Sequence, residues 1–444
     1  MGVYLLKNGI LVNEGQLIAT DLLITGERIE KIGKNLSHAS AQVIDLNGSY
    51  VLPGVIDDQV HFREPGLTYK GDIASESRAA LAGGVTSFME QPNTNPQTVT
   101  IDRLEEKMAL GAVHSYANYS FLFGGTNDNL EELKRLDPKA CSGVKLFLGS
   151  STGNMLVDDP KVIEGIFKAT PLVISAHCED ETTIKRNLEA AKETYGDAIP
   201  FEMHPKIRSA EACYLSSSNA IELAKQTGAR LHVFHLSTAI ETDLFSNAIP
   251  LHEKKITAEV CLHHLWFSEQ DYKEKGSLIK WNPAVKSAED RAGLWKALLD
   301  DRIDIVATDH APHTLEEKNN PYVNAPSGGP LIQHSLIGMM EKYNQGMISL
   351  EQIVQKMCHN PAILFDLQDR GYLREGYFAD IAVVAPNSKW SVSKENIAYK
   401  CGWSPFEGVE FSNRVTHTFI NGHLGYVNGE FSKDRNAKRL EFNR

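Results

Sequence analysis

Eight short apolar segments recur through the middle of this 444-residue chain, and their spacing restricts the fold more than any other feature. They are VLPGVID, VTSFMEQ, YANYSFLFG, GVKLFLG, LVISAH, RLHVFHL, ITAEVCLH and IDIVATDH. Segments apolar along their whole length read as strands buried on both faces, as parallel strands covered by helices are. Amphipathic stretches such as DIASESRAALAGG, DRLEEKMALGAV and EDETTIKRNLEAAKETYG lie between many of them and carry a helical period. Eight strands alternating with helices over roughly 310 residues have the size and order of a (β/α)8 TIM barrel with insertions. A doubly wound open sheet is the competing arrangement, but no glycine-rich phosphate loop follows the first strand.

The two ends of the chain have a different texture. GILVNEGQLIATDLLITGERIEKIG near the start, and FADIAVVAP and VTHTFINGHLGYVNGEF near the end, alternate apolar with polar residues. Asn-Gly pairs at 421–422 and 428–429 mark hairpin turns. Antiparallel strands with one wet face have this pattern. The expectation is a small β-sandwich domain built from residues 1–52 and 366–444, flanking a barrel over residues 53–365.

A formal net charge of −12 and the absence of a Lys/Arg stripe argue against a nucleic-acid partner. No window has the apolar length of a membrane span. The apolar run near the start, MGVYLLKNGILVNEG, is broken too early for a signal peptide, so a soluble cytoplasmic protein is expected. Six scattered cysteines without C-x-x-C spacing fit reduced, mostly buried thiols. Oligomeric state is open, a homo-oligomer included.

A barrel carries its chemistry at the C-terminal ends of its strands. Those positions hold His61 after the first strand, Asn93 after the second and Lys145 in the fourth. His177 ends the fifth, His235 lies in the sixth, and Asp309, His310 and His313 follow the eighth. A lone histidine at a strand end is more often structural; the joint arrangement is what points to a metal-dependent hydrolase. A catalytic zinc takes three protein ligands and leaves one position for water. His177 and His235 would supply two, and Asp309 a carboxylate able to bind the metal and carry protons. Lys145, in an apolar strand, has two readings. It could pair with a buried acid, or react with carbon dioxide to give a carbamate anion that bridges metals.

These segments resemble the amidohydrolase superfamily, and within it the dihydroorotases of the allantoinase and hydantoinase branch. The motifs that carry the resemblance are PGVID…VHFREPG, EQPNT, GVKLFLG, SAHCED, HVFHLS, KWNPAVKSAEDR, ATDHAPH and APSGGP, which span nearly the whole chain. The resemblance implies a zinc-dependent, reversible hydrolysis of the cyclic amide of dihydroorotate to N-carbamoyl-aspartate, a step of pyrimidine synthesis. In that scheme Asp309 takes the proton from water and delivers it to the leaving nitrogen. His61 and the Lys145 carbamate join His177, His235 and Asp309 as ligands. Arg63 becomes the bidentate partner of the substrate carboxylate, with Asn93 as a second donor and His313 completing the grip. Asn282 touches the ring amide, and the loop 325–330 closes over it. Allantoinase, hydantoinase and dihydropyrimidinase activities are the related alternatives, Arg63 being the argument against them. A barrel that has lost catalysis and serves as a structural partner is the other.

One position departs from the family pattern. Gln59 stands where a histidine usually opens His-x-His. A carboxamide oxygen is a weaker zinc ligand than an imidazole nitrogen. The expectation is one strong zinc on Lys145, His177 and His235, with a second, on Gln59, His61, Lys145 and Asp309, weak or absent. Two further motifs point to other chemistry. GSSTG at 149–153 matches a nucleophile elbow but lacks a helix directly after the serine. Cys178 adjoins His177, yet strand alternation turns it away. His263 and His264 end the seventh strand, where one could serve as an accessory ligand.

Overall fold

The computed structural model describes residues 2–149 and 155–444. The serine of the GSSTG motif lies outside the described residues.

The chain begins with β1 (Val3–Asn13), β2 (Gln16–Thr25), β3 (Arg28–Gly33), β4 (Gln42–Asp45) and β5 (Tyr50–Pro53). Barrel strands follow: β6 (Val55–Val60), β7 (Val85–Glu90), β8 (Asn118–Phe121) running on into β9 (Phe123–Gly124), β10 (Val144–Phe147), β11 (Val173–His177), β12 (Arg230–Val233), β13 (Ile256–Cys261) and β14 (Ile305–Ala307). Every adjacent pair from β6 to β8 and from β9 to β14 is parallel. A parallel bridge between Val60 and His310 joins the last strand to the first and closes the barrel. Asp57 reinforces that seam, accepting the Thr308 hydroxyl at 2.6 Å.

Helices cover the outside, and side-chain caps start most of the longer ones. Asp72, Thr100, Asp159, Asp180, Ser209 and Ser287 each accept a backbone N–H of the first turn. The helix Pro160–Ala169 begins directly after Asp159.

Both termini enter one nine-stranded sheet. β15 (Ile381–Ala385) pairs with β5, and Arg414–Ile420, His423–Val427 and Glu430–Phe431 extend the sheet on its far side. Tyr4 and Phe419 sit on strands that would be roughly 14 Å apart in a flat sheet, yet their rings meet edge-to-face at 5.3 Å. The sheet therefore wraps over a core of Leu6, Leu22, Ile24, Ile29, Val51, Ile381, Val383 and Phe419. It differs from the expected antiparallel pattern in one respect, since β1 pairs in parallel with both β4 and β5. The chain reaches these strands by crossing back after the β1–β3 meander, and a crossover returns a strand in the same direction.

A buried polar cluster ties this sheet to the barrel. Arg370 pairs with Asp380 and donates to Asn421 Oδ1 at 2.8 Å. Asn118 of β8 donates to Asp380 at 3.1 Å and accepts from Asn421 at 2.7 Å. Removing one partner of such a pair strands the other charge. Arg370→Ala is therefore expected to destabilise the protein by about 3–5 kcal/mol, read from the urea midpoint. A change under about 1 kcal/mol, the range of an exposed pair, would show that the cluster does not couple the two parts.

Candidate active site

A cavity of about 220 Å³ opens at the C-terminal ends of the barrel strands. Its lining includes Gln59, His61, Arg63, Asn93, Lys145, His177, His235, Asn282, Asp309 and His313, drawn from segments far apart in the chain. Phe147, Ala311 and residues 326–328 complete the wall. Three of the polar lining residues hold positive φ: Arg63 (+73°), His235 (+43°) and Asp309 (+48°). Non-glycine residues reach that region at a cost, and such conformations cluster at functional sites.

Hydrogen-bond partners orient His61 and His177. His177 Nε2 donates to Glu179 at 2.8 Å, leaving the Nδ1 lone pair facing His235 Nε2 at 2.9 Å. Burial alone would raise the Glu179 carboxyl, but Arg208 and His177 hold it at about 2. His61 Nδ1 donates to Asn93 Oδ1 at 2.9 Å, which turns Nε2 toward Asp309 at 3.2 Å. Burial depresses the pKa of His61, His177 and His235, so each presents a neutral ring. The donor set fits a cation. Ligands about 2.0–2.2 Å from a zinc stand roughly 3.3 Å apart when tetrahedral, and the paired atoms here lie at 2.9 and 3.2 Å.

Lys145 is fully buried between Phe234 and Phe147, its nitrogen 4.0 and 4.9 Å from their ring centres. No carboxylate forms an ion pair with it among the described residues, so the buried-acid reading has no partner there. Burial pulls its pKa down to about 7, against the opposing pull of Glu259 and Asp309. Burial pushes the Asp309 carboxyl up to about 7, with Lys145 and His177 acting the other way. The Gln59 oxygen accepts the Cys261 thiol at 3.6 Å.

At the outer rim, Arg63 Nε donates to the Pro312 carbonyl at 3.0 Å. Lys70 Nζ lies 3.0 Å from His313 Nδ1, and an ammonium can only donate, so Nδ1 accepts. His313 Nε2 therefore carries the proton and gives it to the Ser327 carbonyl at 3.0 Å. It cannot also accept from Arg63 Nη2, which stands 3.0 Å away. The guanidinium end is left facing the cavity with no anionic partner among the described residues. Two lysines that sequence reasoning missed brace the neighbouring loop. Lys318 donates to the Pro326 and Gly328 carbonyls, and Lys280 to those of Tyr322 and Ala325.

Other histidines and Cys178 lie away from the cavity. His310 donates to Glu76 at 2.9 Å and accepts Leu331 N–H at 3.0 Å. His263 stacks on Trp281 at 4.3 Å, and His264 bonds the Pro283 carbonyl; neither lines the cavity. Burial pushes the Cys178 thiol up to about 12, which removes it as a nucleophile.

Comparison with known proteins shows the family. Residues 50–425 match the model of the amidohydrolase family. The chain belongs to that family. It is 34% identical over 391 residues to a dihydroorotase of Halobacterium salinarum, covering 87% of this chain and 89% of that protein. It is 32% identical over 440 residues to an allantoinase of Deinococcus radiodurans, covering 96% of each. Among solved structures, an L-hydantoinase from Arthrobacter aurescens superposes with a TM-score of 0.93 at 26% identity, covering 99% of this chain and 100% of that one. The (β/α)8 barrel fold is shared with that hydantoinase, and among the described residues no helix is long and apolar enough to cross a membrane.

Proposed function

We propose that this chain is a zinc-dependent dihydroorotase of pyrimidine synthesis. The observation that carries the choice among cyclic amides is the guanidinium of Arg63. His313 is locked as a donor to Ser327, so Arg63 faces the cavity with donors unspent, a complement to a carboxylate on the ring. Asn93 has its oxygen bound to His61, which leaves its amide N–H groups for the same anion.

His177 and His235 with a Lys145 carbamate would hold one zinc firmly, and His61 with Asp309 would form a second, weaker position beside Gln59. A bound cation supplies Lewis acidity to the ring carbonyl and lowers the pKa of water. Lys145 suits carbamate formation because burial lowers its pKa to about 7 and leaves much of it as free amine at neutral pH. The amine nitrogen bonds to the carbon of CO2 and one proton is released. Asp309 takes a proton from the attacking water. As the ring C–N bond breaks, it passes that proton to the departing nitrogen.

The test is turnover by the purified, zinc-supplied protein on dihydroorotate, allantoin and hydantoin in parallel. Dihydroorotate is expected to be opened in preference. Turnover confined to the uncharged rings would overturn the assignment. Lys145→Ala is expected to lower zinc at the cavity to background and turnover by about 10²-fold or more. Full zinc occupancy at the cavity in that variant, seen by anomalous scattering, would remove the carbamate from the scheme.

A further inference from the structure

Below the cavity, inside the barrel, lies a second group of metal-ligating side chains. Opposite β7 the strand β6 carries a bulge: Asp57 pairs with Phe88 and Val60 with Glu90, so Asp58 and Gln59 together face Met89 alone. The additional residue re-aims the strand. Gln59 lines the cavity, and Asp58 reaches His232 of β12 and Glu259 of β13. All three side chains are completely buried. Both Asp58 oxygens, Glu259 Oε2 and His232 Nε2 lack a hydrogen-bond partner.

We propose that Asp58, Glu259 and His232 bind a divalent transition-metal cation such as zinc, at a structural site separate from the cavity. Three observations support it. His232 Nε2 stands 3.4 Å from Asp58 Oδ2 and 3.5 Å from Glu259 Oε2. Charge-assisted hydrogen bonds are shorter, about 2.7–2.9 Å. Ligands about 2.1 Å from a tetrahedral centre, in contrast, stand roughly 3.4 Å apart.

The tautomer of His232 points the same way. Thr257 donates its hydroxyl to the Leu231 carbonyl and so accepts from His232 Nδ1 at 2.8 Å. That places a proton on Nδ1 and aims Nε2 at two carboxyls. Burial pulls the imidazole pKa down, but Asp58 and Glu259 raise it to about 9 by holding a second proton on Nε2. A cation between them would take that proton's place. Metal-binding imidazoles donate their far N–H to a carboxylate, a backbone carbonyl or water, and the Thr257 hydroxyl takes that place here.

Charge is the third observation. No lysine or arginine forms an ion pair with Asp58 or Glu259 among the described residues, so the two buried carboxyls share His232 as their cationic partner, and a divalent cation would neutralise both. With both Asp58 oxygens unspent, that residue can bind in bidentate fashion, giving four donor atoms. Glu259 Oε1 accepts the His235 backbone N–H at 3.1 Å. The site would thus brace the segment that presents His235 to the cavity.

The experiment is an anomalous difference map, at the zinc edge, from crystals of the whole wild-type protein grown with zinc. A peak enclosed by Asp58, His232 and Glu259 is expected in addition to density at the cavity. Cavity peaks with none at the triad would overturn the proposal and leave a proton as what the three groups share. In solution, Asp58→Asn is expected to lose one metal equivalent while the Lys145→Ala protein keeps it. Should Asp58→Asn fail to fold, the wild-type map alone decides. The result does not depend on which ring the enzyme opens, so it and the activity assay fail separately.

Discussion

Replacing Asp309 with asparagine is expected to lower kcat for ring opening by about 10³-fold or more, within the range a positioned proton carrier contributes and with loss of an anionic ligand added. Asparagine is the informative substitution for a local reason. Asp309 sits at φ +48°, a region asparagine enters as readily as aspartate, so the backbone need not move. The side-chain shape also survives, leaving its 3.2 Å approach to His61 sterically possible. What disappears is the basic carboxylate. Steady-state kinetics with zinc content measured on the same sample gives the readout, and circular dichroism tests the fold. A kcat within tenfold of the wild type would assign the proton transfer to another group.

Much of this site was legible because a barrel converts sequence order into position. Once eight buried strands are recognised, residues just past their ends share one mouth, whatever their separation along the chain. The ten candidate residues meet at one cavity. His61, Asn93, Lys145, His177, His235, Asp309 and His313 follow from strand position, whereas Gln59, Arg63 and Asn282 were legible only through the family motifs. What stayed hidden depends on contacts no local pattern encodes. Lys70, Lys280 and Lys318 look like surface lysines in sequence, yet each is buried against groups from distant segments. Asp58 sits in IDDQ, where alternation would send its side chain away from the position Gln59 takes. The bulge in β6 breaks that alternation, and the two neighbours both turn inward. The parallel pairing of β1 with β4 and β5 escaped for a similar reason, since strand direction is decided by the path of the connection rather than by strand composition.

Arg63→Ala is the substitution that separates substrate recognition from chemistry. Burial lowers the Arg63 pKa to about 10, so the group remains charged at neutral pH. Its Nε is anchored to Pro312 at 3.0 Å, which fixes the guanidinium plane before substrate arrives. A pre-positioned fork gives two charge-assisted bonds to a carboxylate without ordering a flexible side chain. Truncating one partner of such a pair costs about 2–5 kcal/mol, or roughly 30- to 5,000-fold in kcat/KM. The loss should fall on dihydroorotate and leave any slow turnover of hydantoin within a few-fold of the wild type, because a ring without a carboxylate never met the guanidinium. That contrast also controls for strain. Alanine at φ +73° perturbs the loop for every substrate alike, so a uniform loss across both rings would mean that Arg63 shapes the loop. A selective one means that it reads the anion.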